Sequence, residues 1–166
     1  MKPLAAIAIS GGIDSLVAAH LLKQAGHPLL GLHFITGFEA WLQPSAATAA
    51  SAQLCEIAGA RLAPLADQLD LAIEVVDLRP AFRRMVVDDF TNAYARGRTP
   101  NPCMVCNPGI KFGELLSHAR RRGAEFLATG HYARIARNEK GIPQLCKGFD
   151  TSKDQSYFLA RLTSAQ

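Results

Sequence analysis

A chain of 166 residues, 49% hydrophobic and 19% charged, can bury one real core but is too short for two large domains. No apolar run approaches the roughly 20 residues of a bilayer span, which excludes a helical membrane span and makes the expected location cytoplasmic. The net charge of +4 is uneven: residues 1–80 hold 4 Lys/Arg against 7 Asp/Glu, and residues 81–166 hold 14 against 7. A basic second half fits either a polyanion partner or a solvated basic face.

The opening MKPLAAIAIS runs straight into a Gly-rich loop and not into a small-residue cleavage site, so it reads as a buried strand over residues 4–9 rather than a signal peptide. A helix follows over residues 14–25, ended by Gly26, then a strand over 28–34. A loop with Gly37 and Pro44 leads to an alanine-rich helix over 45–59. A third strand covers 72–76. A helix over 80–94 starts with proline in its first turn. Residues 96–108 form a loop rich in Pro, Gly and Asn, followed by a helix over 110–121 and a strand over 125–129. Short strands near 133–136 and 144–146 and a helical start near Gln155 complete the chain.

Strands alternate with helices, and the first two strands are continuous apolar runs. That pattern implies an α/β fold with a parallel sheet covered by helices on both faces. Ligands of such sheets bind beyond the carboxyl ends of the strands, which here are Ser10, Phe34, Asp77 and Gly130.

Two loops carry chemistry. Ser10-Gly11-Gly12-Ile13-Asp14-Ser15 follows a strand and opens a helix. Its glycines let the backbone curl around an anion, and its N–H groups and hydroxyls supply donors. Asp14 stands where it could cap the helix or reach magnesium. The loop lacks the Lys of a Walker A motif and does not match GxGxxG. It resembles the SGGxDS pyrophosphate loop (PP-loop) of the ATP pyrophosphatases, which cleave ATP between the α and β phosphates.

The second loop is GRTPNPCMVCN over residues 97–107. Its prolines stiffen it, as a thiol that must meet a reacting atom requires. Cys106 is expected just before a helix N-terminus, near Arg98 and Lys111, where its thiolate would be favoured. The C-x-x-C spacing also fits a redox pair or two ligands of a metal site. A four-cysteine zinc site lacks a second C-x-x-C, and Cys55, in an apolar helical pattern, reads as core.

Together with IKF at 110–112, ATGHYARI at 128–135 and KDQSYFL at 153–159, these strings resemble the bacterial tRNA-specific 2-thiouridylases, in that family's order and over nearly the whole chain. The resemblance implies a Rossmann-like adenine nucleotide α-hydrolase fold of the PP-loop type, and one ATP-binding catalytic domain over 1–166 without the family's central and C-terminal tRNA-binding regions. It implies an ATP- and Mg2+-dependent enzyme that adenylates the C2 oxygen of a wobble uridine and replaces it with sulfur. Ala8, Ile9, Ser10, Gly11, Gly12, Ile13, Asp14 and Ser15 would hold the phosphates, with Phe34 by the adenine and Gly130 lining the nucleotide site. Asn101, Pro102 and Cys103 would meet the target base, Cys106 would be the catalytic thiol, and Lys153, Asp154 and Gln155 would touch tRNA. A cysteine desulfurase or sulfur-relay protein would supply sulfur.

Many members carry Asp where this chain has Cys103. The departure adds Cys103 to the catalytic candidates and raises a second route, through a [4Fe-4S] cluster with Cys103 and Cys106 among its ligands. The family's second catalytic cysteine lies downstream of KDQSYFL; Cys146, in an expected hairpin strand, reads as packing. Two other functions stay open: a nucleotide- or tRNA-binding module inactive alone, and a PP-loop sulfurtransferase or ligase for a small molecule. His131 reads equally as a ligand contact or a structural histidine, and Asp77 as a helix cap. Arg83, Arg84 and Arg120 to Arg122 read as solvated.

Overall fold

The computed structural model describes residues 1–42 and 49–166. Four strands, β1 (Ala5–Ala8), β2 (Leu29–Ile35), β3 (Ile73–Asp77) and β4 (Phe126–Ala128), form one parallel sheet in the order β3-β2-β1-β4. The register sets Ala5 beside both Leu29 and Phe126, and Ile35 beside Asp77. Side chains alternate between faces, so each strand feeds two cores. Ala6 and Leu32 enter one cluster with Val86, Ile110, Leu115 and Ala119. Ile7 and Ile9 enter the other with Ala19, Leu62 and Leu71. Ile7 and Leu32 are fully buried, which explains why these strands are apolar at every position rather than at alternate ones. The expected α/β architecture, a parallel sheet covered on both faces, is the observed one.

Helix α1 (Ile13–Gln24) and α2 (Ser51–Leu69) cover one face. The expected helix over 45–59 differs from α2. Residues 45–48 and Pro44 lie outside the described residues, and α2 continues past Gly59 and through Pro64 to Leu69. Burial of Leu54, Ala58 and Leu62 along one stripe outweighs what a proline costs inside a helix.

The other face is covered by two long helical stretches, each with a π-helical section. The first comprises α3 (Arg79–Phe82), a π segment Arg83–Val87 and α4 (Asp88–Ala95). The second comprises α5 (Cys103–Cys106), a π segment Asn107–Leu115 and α6 (Leu116–Arg121). Residues 103–108, expected as loop, are therefore helical. Pro108 brings no N–H to an i−4 bond and would crowd the carbonyl there, and widening to a π segment accommodates it. Asn107 is buried, and its Nδ2 donates to the Phe158 carbonyl at 2.8 Å.

Beyond β4 the chain forms an antiparallel hairpin, β5 (Ala133–Arg137) and β6 (Pro143–Lys147), and a 3-10 turn Ser156–Leu159. No helix among the described residues is long and apolar enough to cross a membrane.

Candidate nucleotide and thiol site

The strand order places β1 between β2 and β4. Successive crossovers run from β1 to β2 to β3, then jump back across β1 to β4. A parallel sheet opens a crevice at such a reversal, where neighbouring loops diverge. The loops flanking it are residues 9–12 after β1 and residues 129–132 after β4.

The loop after β1 is held by its own hydroxyls. The buried Ser15 donates its Oγ–H to the Gly12 carbonyl at 2.8 Å and accepts the Ser10 N–H at 3.2 Å. Ser10 Oγ accepts the Gly12 N–H at 3.3 Å. Gly11 takes φ +85°, a conformation that disfavours any side chain. Of the expected hydroxyl donors, Ser15 is thus spent on the loop's own shape. Asp14 does not cap α1, whose start has no side-chain cap. Its Oδ1 accepts the Tyr132 hydroxyl at 2.8 Å, tying the loop to the segment that leads into the hairpin.

Gly130 touches the same loop. A Cβ at Gly130 would stand 2.7 Å from the Asp14 carbonyl carbon and 2.8 Å from the Ser15 nitrogen, so only glycine lets the two loops meet. Between them lies a cleft lined by Ala8, Ile9, Ser10, Asp14 and Ser15 on one side. Phe34, Gly130 and Gln155 line it as well. Gly11 faces a separate depression beside Trp41 and Arg61, and Gly12 and Ile13 line neither.

Five further cleft residues were not assigned a place from sequence. His33 and Thr36 flank Phe34 at the end of β2, and Glu39 folds back so that Oε1 accepts the Thr36 hydroxyl at 2.8 Å and Oε2 accepts the Gly37 N–H at 3.0 Å. Lys111 and Thr129 complete the wall. His131, left open between ligand contact and structural histidine, lines the cleft too.

The second loop departs from expectation in one respect. Cys106 lies within a helical stretch and not before its N-terminus, and Cys103 opens it. Burial pushes the Cys106 thiol above its ordinary value; the Lys111 charge only partly offsets this, and Cys103 adds to the rise. The favoured thiolate expected from helix position is therefore not what the fold provides. Asn101 Oδ1 accepts the Cys103 N–H at 3.2 Å, starting the helix. None of Asn101, Pro102, Cys103 and Cys106 lines the cleft, but Lys111, five residues beyond Cys106, connects the two.

Of the remaining expected contacts, Gln155 exchanges bonds with the Tyr132 backbone, donating its N–H at 2.8 Å. Asp154 Oδ1 accepts the Gly148 and Ser156 N–H groups, so its carboxylate holds a turn. Lys153 Nζ lies 5.5 Å from the Tyr132 ring centre. Asp77 accepts the Arg79 N–H at 3.0 Å and pairs with its guanidinium at 2.7 Å, which holds the Asp77 carboxyl below the usual range. Arg122 and His118 both reach Glu74, at 2.9 and 2.8 Å.

Among the described residues no three His, Cys, Asp or Glu side chains gather as a metal centre. Cys55 packs against a different cluster and Cys146 sits on β6. Two thiols one turn apart do not by themselves complete a cluster site.

The family model for the tRNA methyl transferase HUP domain matches residues 4–166. The chain belongs to this family. Among its HUP-domain relatives, the tRNA-specific 2-thiouridylase MnmA of Desulfosudis oleivorans is 48% identical over 99% of this chain and 42% of that protein. The proteins of the same name from Geobacter metallireducens and Geotalea uraniireducens are 44% and 47% identical, each over 96% of this chain and over 44% and 43% of their own length. The chain thus spans under half the length of these relatives. Looser likenesses are an NMN synthetase from Francisella tularensis (TM-score 0.43, 18% identity, 75% of this chain and 44% of that one) and a predicted tRNA methyltransferase subunit from Methanocaldococcus jannaschii (0.46, 16%, 92% and 60%).

Proposed function

We propose that this HUP domain binds ATP in the cleft between β1 and β4 and, as part of a thiouridylase, adenylates the C2 oxygen of a tRNA uridine before sulfur replaces it. One observation carries the reading: a hydroxyl-braced Gly-Gly loop opens a helix at the reversal point of the sheet, with the cysteine-bearing helix one lysine away. Backbone N–H groups at a helix start suit a phosphate chain. Phe34 at the end of β2 offers a flat apolar surface for a base.

In this reading the uridine C2 oxygen attacks the α phosphorus and pyrophosphate leaves. A hydrosulfide then attacks C2, and AMP leaves with the former oxygen; where a persulfide delivers the sulfur, its outer sulfur attacks C2 and a second thiol then displaces the inner sulfur, breaking the S–S bond and leaving a disulfide between the two thiols. The uridine must be extruded to reach the cleft. Magnesium usually arrives with the phosphates and needs few protein ligands; Asp14, on the cleft wall, would supply one, and the ion would offset the triphosphate charge. The ~45% identical relatives named for tRNA thiolation support the substrate class. Sulfur would come from a cysteine desulfurase or a sulfur-relay protein.

The test is mass spectrometry of tRNA after incubation of the full-length protein with ATP and a sulfur donor. A gain of sulfur for oxygen at one uridine, dependent on ATP and Cys106, is expected. AMP release driven by a small metabolite without tRNA would instead show a small-molecule enzyme.

A further inference from the structure

Lys111 and His131 make a contact that the thiolation reading leaves unused. Lys111 Nζ is 3.4 Å from His131 Nε2, and His131 Nδ1 is 2.7 Å from Thr129 Oγ1. An ammonium has donors only, so Nε2 accepts; Nδ1 then carries the ring proton and donates to Thr129. The ring is neutral at physiological pH, since burial, and secondarily the Lys111 charge, lower its pKa to about 4.

The ammonium is thus partly buried with a neutral partner. The ion pairs among the described residues are Lys23–Asp70, Arg79–Asp77, His118–Glu74 and Arg122–Glu74, and none includes Lys111. Two carboxylates share its cleft. Glu39 is taken by Thr36 and Gly37, and Asp14 receives Tyr132. A part-buried cation without an anion is unfavourable until one arrives. Ser10, Ser15 and Gly130, the anion-binding side of the cleft, stand on the same wall system. Lys111 is also close enough to Cys106 for its charge to act on that sulfur.

We propose that Lys111 is the cleft's anion-binding cation, parked on His131 in the free protein and transferred to a nucleotide phosphate in the cleft, with His131 and Thr129 as positioning residues. The inference rests on the ATP-binding reading and adds to it a specific charge contact. The exchange moves a hydrogen bond and breaks no covalent bond: Lys111 leaves Nε2 for a phosphate oxygen.

Calorimetric titration of ATP and of adenosine into the wild type, Lys111→Met, Lys111→Arg and His131→Asn decides it. Lys111→Met should weaken ATP by about 10- to 100-fold, the loss of one charge-assisted hydrogen bond, and leave adenosine within about twofold. Lys111→Arg should recover most of the ATP affinity, and His131→Asn should weaken ATP less than Lys111→Met does. Unchanged ATP binding in Lys111→Met, or equal weakening of ATP and adenosine, overturns the proposal. A wild type that binds neither ligand overturns the ATP reading itself, and with it this one.

Discussion

Cys103 and Cys106 are one helical turn apart and live in different surroundings. Cys103 is exposed at the first turn, while Cys106 is half-buried against the cluster formed by Leu32 and Ile110. Thiolate is the reactive form, so desolvation that raises the Cys106 thiol also slows it. Time-resolved iodoacetamide labelling near pH 7.5, read by peptide mass spectrometry, should modify Cys103 about tenfold faster than Cys106; equal rates would remove the distinction. His131 offers a second readout. Its folded pKa, about 4, lies below the ordinary 6.5. Below 6.5 the unfolded chain therefore binds the proton first, and the stability contributed by the neutral ring, complete above 6.5, is lost as pH falls toward 4. The full linkage of about 3 kcal/mol shrinks to about 2 for a partly solvated ring. Urea melts across that window should show this loss in the wild type and its absence in His131→Gln.

At the scale of elements, the contact of the β4 loop with the Gly-Gly loop and the start of α1 is set by one missing atom. Gly130→Ala forces a methyl to within 2.9 Å of three backbone atoms of Asp14 and Ser15. Such overpacking costs about 1–3 kcal/mol and moves the Gly-Gly loop proposed to hold the phosphates, so both stability in denaturant melts and ATP affinity should fall, while Gly123→Ala, with nothing within 4 Å, should leave ATP binding intact. The strands and the Gly-Gly loop after β1 were legible in the sequence because both are local: apolar runs and a Gly-Gly turn carry their own signal. The length of α2 was not, since Pro64 reads as a stop and only tertiary burial of Leu62 overrides it. Nor was the helical state of residues 103–108, because Pro102 and Pro108 look like loop until a π segment absorbs the second. The Lys111–His131 contact joins residues 20 apart through the sheet, and no spacing rule announces that.

For the molecule as a whole, part of the basic half of the sequence lies on the hairpin, the rest on or beside the helices over 79–121 and in the tail. Arg134, Arg137, Lys140 and Lys147 lie on or beside the hairpin, and the Arg134 guanidinium sits 4.2 Å from the centre of the exposed Phe149 ring. Each phosphate neutralised releases counterions, so a polyanion held here binds with a steep salt dependence. If Lys153 takes part, Lys153→Ala should lower tRNA affinity in filter binding and reduce the slope of log affinity against log salt by about one unit; an unchanged slope would exclude it from the interface.

The hairpin is not an independent appendage. Tyr132, the residue before β5, is fastened through its hydroxyl to Asp14, in the first turn of α1 beside the Gly-Gly loop. In the proposed reading, tension applied to the hairpin by a bound nucleic acid would be delivered, by way of the Tyr132 phenol, to the loop assigned to the triphosphate. Thermodynamic reciprocity would then make the traffic two-way: an occupied cradle would quiet the hairpin, and a gripped hairpin would steady the cradle.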